Sequence, residues 1–229
     1  IMFRYILLLL LLPINAFAYE CSREIDDISK EYQIKIYCNL SDSLRNENIS
    51  GQVSSANDLQ EFAPYLRKFL NYYPNSFVKK HVQKFFLLKN LTLNGVNVAG
   101  LSNGPCIWIK TQHYYGQYSD FYLTVLNHEF SSSILKSDYL DYISWGNFSD
   151  RKYDGSNYFV NKNMSDFEFS RETGQKILNE GFVFNYGKTN PENDFNTYAE
   201  LLFTNPQKMR SFAKSNFLVR KKLTFLKNV

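Results

Sequence analysis

Apolar residues change their spacing several times along this chain, and each change marks a different element. Ser22 to Glu31 has the pattern of a short helix, and Gln33 to Cys38 alternates polar with apolar as a half-buried strand does. Ser41 to Ser54 is polar and reads as a loop. From Ala56 to Tyr72 the apolar positions Leu59, Phe62, Leu66, Phe69 and Leu70 fall three and four apart, which predicts an amphipathic helix ended by Pro74 and kinked or restarted at Pro64. Val82 to Thr92 and Val96 to Leu101 flank Asn94-Gly95, a hairpin signal, and Ile107 to Thr111 supplies a further strand. These predict a small, mostly antiparallel sheet. The helical period returns from Tyr118 to Leu135, with Phe121, Val125 and His128 on one stripe and Tyr122, Leu126 and Phe130 on the next. An aromatic, Asn-rich, irregular stretch follows (Trp145, Phe148, Tyr153, Tyr158, Phe159). Then come a helix over Ser170 to Glu180 stopped by Gly181, the segments Phe182 to Tyr186 and Asp194 to Phe203, and a final helix from Pro206. Runs of strands followed by runs of helices place the chain in the α+β class.

The first residues change the compartment in which all of this folds. Met2-Phe3-Arg4 gives a short basic start, Ile6 to Leu12 an unbroken apolar run, and Ala16-Phe17-Ala18 a small-x-small site. Residues 2–18 therefore read as a cleavable signal peptide cut after Ala18, because the apolar run is far shorter than the roughly 20 residues a spanning helix needs. The expected protein is exported, periplasmic or secreted, without a stable membrane anchor. Glu20 before Cys21 argues against lipid attachment. In an oxidising compartment Cys21 and Cys38 can be joined by one bridge, leaving Cys106 as a small buried hydrophobe in a strand. The rest of the chain suits a single domain with an N-terminal lobe of about 19–136 and a C-terminal lobe of about 137–229.

With 20 Phe and 17 Tyr against 10 Gly and 6 Pro, the composition is that of a packed domain, and the net charge is only +4. Charge is uneven, though: Pro206 to Val229 holds seven basic residues and no acidic one. A solvated helix face is the commoner cause of such a run, and contact with anionic lipid or nucleic acid the rarer one.

One fragment carries candidate chemistry. Leu126-Asn127-His128-Glu129-Phe130-Ser131-Ser132 resembles the metal-binding helix of zinc metallopeptidases, in which two histidines at i and i+4 grip zinc and the intervening glutamate takes a proton from metal-bound water. The position of the second histidine is Ser132, so the motif is degenerate. Downstream, Gly181-Phe182-Val183-Phe184-Asn185-Tyr186, Asn190 to Phe195 and Tyr198-Ala199-Glu200 are similar to the third-ligand region of zinc-binding metallopeptidases exported by bacteria and, more loosely, of gluzincins. The resemblance covers about Val82 to Phe203 and implies a zincin-like fold. It makes His128 the first zinc ligand, Glu129 the general base, and Glu200 or Asp194 the acidic ligand. Those two lie six residues apart, about 240° round a helix, so they cannot share one metal; Glu200 is preferred. Tyr186 is the candidate phenol for steadying an oxyanion. His113 is the one histidine placed to replace the missing ligand, whereas His81, after two lysines, reads as exposed.

The chain has no Gly-rich phosphate loop, no Gly-x-Ser-x-Gly elbow and no Cys-x-x-Cys pair. Two functions follow as expectations: a zinc-dependent peptidase with an altered second ligand, or a catalytically inactive zincin-fold protein that binds a peptide or glycan. The partner is a peptide or protein in the first case, and nucleic acid in neither.

Overall fold

The computed structural model describes residues 21–39, 48–112, 120–138, 145–149, 153–155 and 171–227. The leader, His113, Tyr158 and Phe159 lie outside them. The described elements are α1 (Arg23–Tyr32), β1 (Lys35–Tyr37), β2 (Ile49–Val53), α2 (Ala56–Leu70), α3 (Asn75–His81), β3 (Lys84–Leu93), β4 (Val96–Asn97), β5 (Gly100–Asn103), β6 (Cys106–Lys110) and α4 (Phe121–Asp138). After these come α5 (Gln175–Asn179), a 3-10 turn at Asn185–Lys188, α6 (Pro191–Thr204), α7 (Pro206–Ser215) and α8 (Phe217–Leu226).

The sheet is mixed: three of its five described strand pairings are antiparallel, in line with the expectation, and two are parallel. Its central strand β3 runs parallel to both β1 and β6, while β2 and β4 pair with it antiparallel and β5 pairs antiparallel with β6 at the sheet edge. The reason lies in the connections: the chain returns from β1 to β3 through α2 and α3, and a parallel pair needs such a crossover. Only the local hairpin was visible as antiparallel. That turn forms as expected, with Asn94 at φ 52° and Gly95 at φ 78°, the left-handed pair a two-residue hairpin requires. Strand β2 falls in the segment read as loop, because only Ile49 of its five residues is buried. Gly51 lets it approach: a Cβ there would lie 2.6 Å from the Asn90 carbonyl and from a Leu88 methyl.

Helix α2 runs unbroken through Pro64, started by a capping box in which Ser55 and Asp58 bond each other's backbone N–H. It buries Leu59, Phe62, Leu66, Phe69 and Leu70 against Phe85, Leu87, Ile107 and Ile109 of the sheet and Tyr122, Leu126 and Phe130 of α4. Phe86, Leu88 and Trp108 form a smaller cluster with Ile49 and Leu91. A separate cluster joins Leu135 and Trp145 to Leu178, Phe184, Phe195, Tyr198, Met209, Val219 and Leu223.

Of the remaining expectations, the disulfide is met and the others shift in detail. Cys21 and Cys38 are disulfide-bonded, which ties α1 to the end of β1. Cys106 is half-buried rather than buried. His81 is buried, packed on Phe77 and Phe130 with ring centroids 4.6 Å and 6.2 Å away. The Ser170–Glu180 helix is short, starting at Gln175. Phe182 and Val183, fully buried, lead into a 3-10 turn, and the final helix divides at Asn216.

Candidate functional site

Helix α4 is buried along almost its whole length, yet it carries Asn127, His128, Glu129, Ser131, Ser132 and Ser133. Buried polar groups need partners, and three of those on α4, His128, Ser131 and Ser132, find them on α6. Helix α6 starts cleanly: Asn190 accepts from the Asn193 N–H at 2.8 Å and Pro191 takes the first position, where no N–H is needed. Residues four apart share a helical face, so His128 and Ser132 of α4 confront Asn196 and Glu200 of α6.

The contacts form one connected network. His128 Nδ1 lies 2.6 Å from Glu200 Oε1, and Arg171 donates to the other Glu200 oxygen at 2.7 Å. Asn196 Nδ2 lies 3.1 Å from His128 Nε2 and donates to Ser132 Oγ at 2.7 Å. The Asn196 carbonyl oxygen accepts from Ser131 Oγ at 2.6 Å, and that hydroxyl also reaches the His128 carbonyl at 2.8 Å. With the amide so oriented, Nδ1 carries the imidazole proton toward Glu200 and Nε2 accepts. Burial alone would push Glu200 up, but Arg171 and His128 outweigh it and hold the carboxyl below its ordinary value. Burial likewise pulls His128 down, and the Glu200 hydrogen bond with the charges of Glu129 and Glu200 reverses the shift, leaving it raised.

Tyr186, in the 3-10 turn, stacks on His128 with centroids 5.7 Å apart, and burial with the nearby charges of Glu129 and Glu200 pushes its phenol well up. Glu129 lies beneath the edge strand β5. A Cβ at Gly100 would come within 2.7 Å of Glu129 Cγ, so glycine is what lets the strand lie on the helix. Burial raises Glu129, partly offset by the charge of His128, a Ser102 hydrogen bond and Lys136. Lys136 bonds the Ser102 carbonyl at 3.1 Å and pairs with Glu192 at 3.3 Å.

Of the residues singled out from the sequence, His128, Glu129, Glu200 and Tyr186 therefore gather around α4. Asp194 does not join them. Its Oδ2 is 2.5 Å from Lys222 Nζ and accepts from Trp145 Nε1 and Tyr153 OH at 2.9 Å each, in the C-terminal core. Lys222 completes its three bonds with Ser149 Oγ and the Gly181 carbonyl, under the ring of Phe182. Burial outweighs these partners and lifts Asp194 to about 6. Asn196, Arg171 and Ser131 were missed. The four-residue step back from Glu200 marks Asn196, whereas Arg171, distant in sequence from both helices, carries no such signal.

The described side chains around His128 do not fit a zinc ion. Zinc sites draw on imidazole, thiolate and carboxylate. Here the Nε2 lone pair of one imidazole faces an amide N–H2, its neighbour is a serine hydroxyl, and both Glu200 oxygens already face His128 and a guanidinium. Among the described residues no group of three or more His, Cys, Asp or Glu is placed to hold a metal.

Comparison with known proteins gives the fold a precedent. The structure is similar to the crystal structure of a putative zinc-binding metallo-peptidase from Bacteroides caccae, with a TM-score of 0.54 over 89% of this chain and 81% of that one at 13% identity. The chain thus shares an α+β fold with that protein. No family model matches the sequence, and no curated protein does. No helix among the described residues is long and apolar enough to cross a membrane.

Proposed function

We propose that this chain is an exported, metallopeptidase-like protein that works by binding rather than by metal-dependent hydrolysis, and that its ligand is a peptide or protein segment. The observation that carries this reading is the Asn196 amide, whose single nitrogen reaches both His128 Nε2 and Ser132 Oγ. By the resemblance of the α4 motif, these are the two positions at which a metallopeptidase helix would grip zinc. An internal hydrogen-bond donor takes the place where the family's helix directs its lone pairs.

The edge strand supports the peptide ligand. Strand β5 pairs only with β6 among the described residues, and an open edge is a template for an added extended chain. Glu129 lies directly under that edge, which supplies a carboxyl for the polar groups of a bound peptide.

Elemental analysis of the processed chain from Tyr19, beside its His128→Ala variant, tests the reading together with a broad peptidase assay. The expected result is less than about a tenth of an equivalent of zinc in either protein and no cleavage. Near-stoichiometric zinc that disappears with His128→Ala would overturn it. For the ligand, a peptide selected on the immobilised protein should slow amide exchange at Gly100–Asn103; protection elsewhere would reject β5 as the docking edge.

A further inference from the structure

Seven basic and no acidic residues lie between Pro206 and Val229, and the fold sorts them. Lys222 is buried with Asp194, while Arg210, Lys214, Arg220, Lys221 and Lys227 are exposed. On α8, Phe217, Arg220, Lys221 and Thr224 follow the i, i+3, i+4, i+7 spacing of one helical face, and all four are exposed. Phe217 stands out at 65% exposure, against 39% and 37% for the other exposed large hydrophobics among the described residues, Val53 and Val96. Beside it a shallow groove is lined by Phe148, Phe217, Arg220, Lys221, Thr224 and Phe225. Its floor is apolar and its rim cationic: the Arg220 guanidinium sits 5.8 Å over Phe217, and the Lys221 ammonium 4.8 Å over Phe148. Arg220 is also held in place by the carbonyls of Ala213 and Lys214 that end α7.

We infer that the α7–α8 face docks on an anionic phospholipid surface, with Phe217 entering the headgroup region and the surrounding Arg and Lys residues paired to lipid phosphates. An exposed ring costs little in water singly, but within an all-basic face it has the chemistry of an interfacial helix, in which apolar insertion and charge attraction act together. The absence of acid along the whole segment commits the occupant to be anionic. The apolar floor favours lipid over a nucleic acid backbone, which offers phosphate without an acyl chain. This inference is independent of the reading of the α4–α6 network.

Sedimentation of the processed chain with vesicles tests it. Binding is expected to phosphatidylglycerol-containing vesicles, weakening with added salt, and not to pure phosphatidylcholine. Each basic residue at such a surface contributes roughly a fivefold gain, so Arg220→Glu with Lys221→Glu should weaken binding at least 30-fold. Phe217→Ala should weaken it roughly tenfold. Lys30→Glu with Lys68→Glu makes the same change in net charge on exposed sites elsewhere and should leave binding within about twofold. Tryptophan emission of Phe217→Trp should shift to the blue on anionic vesicles only. Failure to bind phosphatidylglycerol vesicles, equal loss in the Lys30/Lys68 control, or tighter binding to an oligonucleotide than to vesicles would overturn the inference.

Discussion

Replacing Asn196 with leucine, a side chain of similar size, removes the amide while leaving the space filled. Three partners lose it: His128 Nε2, Ser132 Oγ and Ser131 Oγ. Leaving a buried polar group unpaired costs about 1–3 kcal/mol, but the three do not suffer equally. Ser132 is 1% exposed and takes the largest part of the loss. Ser131 keeps its bond to the His128 carbonyl, and the His128 side chain, 17% exposed, is within reach of water. Taking about 2–3 kcal/mol for Ser132 and about 1 kcal/mol for the other two together, less about 1 kcal/mol for added apolar burial, the net cost is about 2–3 kcal/mol. For a urea dependence of about 2 kcal/mol/M, the unfolding midpoint should fall by about 1–1.5 M. Ser132→Ala in the same chain removes the hydroxyl left unpaired, so the double variant should be more stable than the sum of the singles by about 1 kcal/mol. A cost below about 0.5 kcal/mol for Asn196→Leu, or strict additivity with Ser132→Ala, would refute the view that this amide is the hub of the network.

Ser132→His combined with Asn196→Ala places imidazoles four residues apart on α4 and clears the donor between them; zinc at a hundredfold excess over its dissociation constant should then stabilise the variant by about 2.7 kcal/mol in thermal melts, and the parent not at all. Lys222→Met strands the Asp194 carboxylate in the core and should cost about 3–5 kcal/mol in chemical denaturation, whereas Asp194→Leu with Lys222→Met should cost markedly less. Burial alone would raise Glu200, but Arg171 and His128 hold it below its ordinary 4.5, so its share of stability is present above that value and lost as pH falls through the folded-state pKa. Arg171→Met should move the acid-unfolding midpoint, followed by circular dichroism, to higher pH; an unmoved midpoint would remove Arg171 from the network.

Local signals in the sequence carried a good part of this. The three-four stripe of Leu59, Phe62, Leu66 and Phe69 predicted α2, and Asn94-Gly95 predicted its hairpin, because both depend on neighbours within a few residues. The strand β2 escaped notice because it buries little and its apolar pattern is correspondingly weak. The parallel pairing of β3 with β1 and β6 depends on crossovers that no local period encodes. At the site, His128 and Glu200 were legible through the resemblance, and the structure brings them to 2.6 Å. Asp194 shared the same acidic context but faces the opposite side of α6, toward Lys222, as an offset of six residues requires. Asn196 was missed although it lies one turn before Glu200 on the same face, because an amide is not among the side chains expected at a metal site.

Helix α6 is fastened on two sides: Asn196 and Glu200 bind it to α4, and Asp194 with Tyr198 binds it to the C-terminal core through Lys222 and the Gly181 carbonyl. In a metalloprotein an ion between two helices also acts as a rivet, and the chain cannot finish folding until the ion arrives. Here the rivet is covalently part of the chain. Folding should therefore proceed at the same rate in surroundings stripped of zinc as in surroundings rich in it, and a chelator that unfolds a metal-riveted protein should leave this one intact.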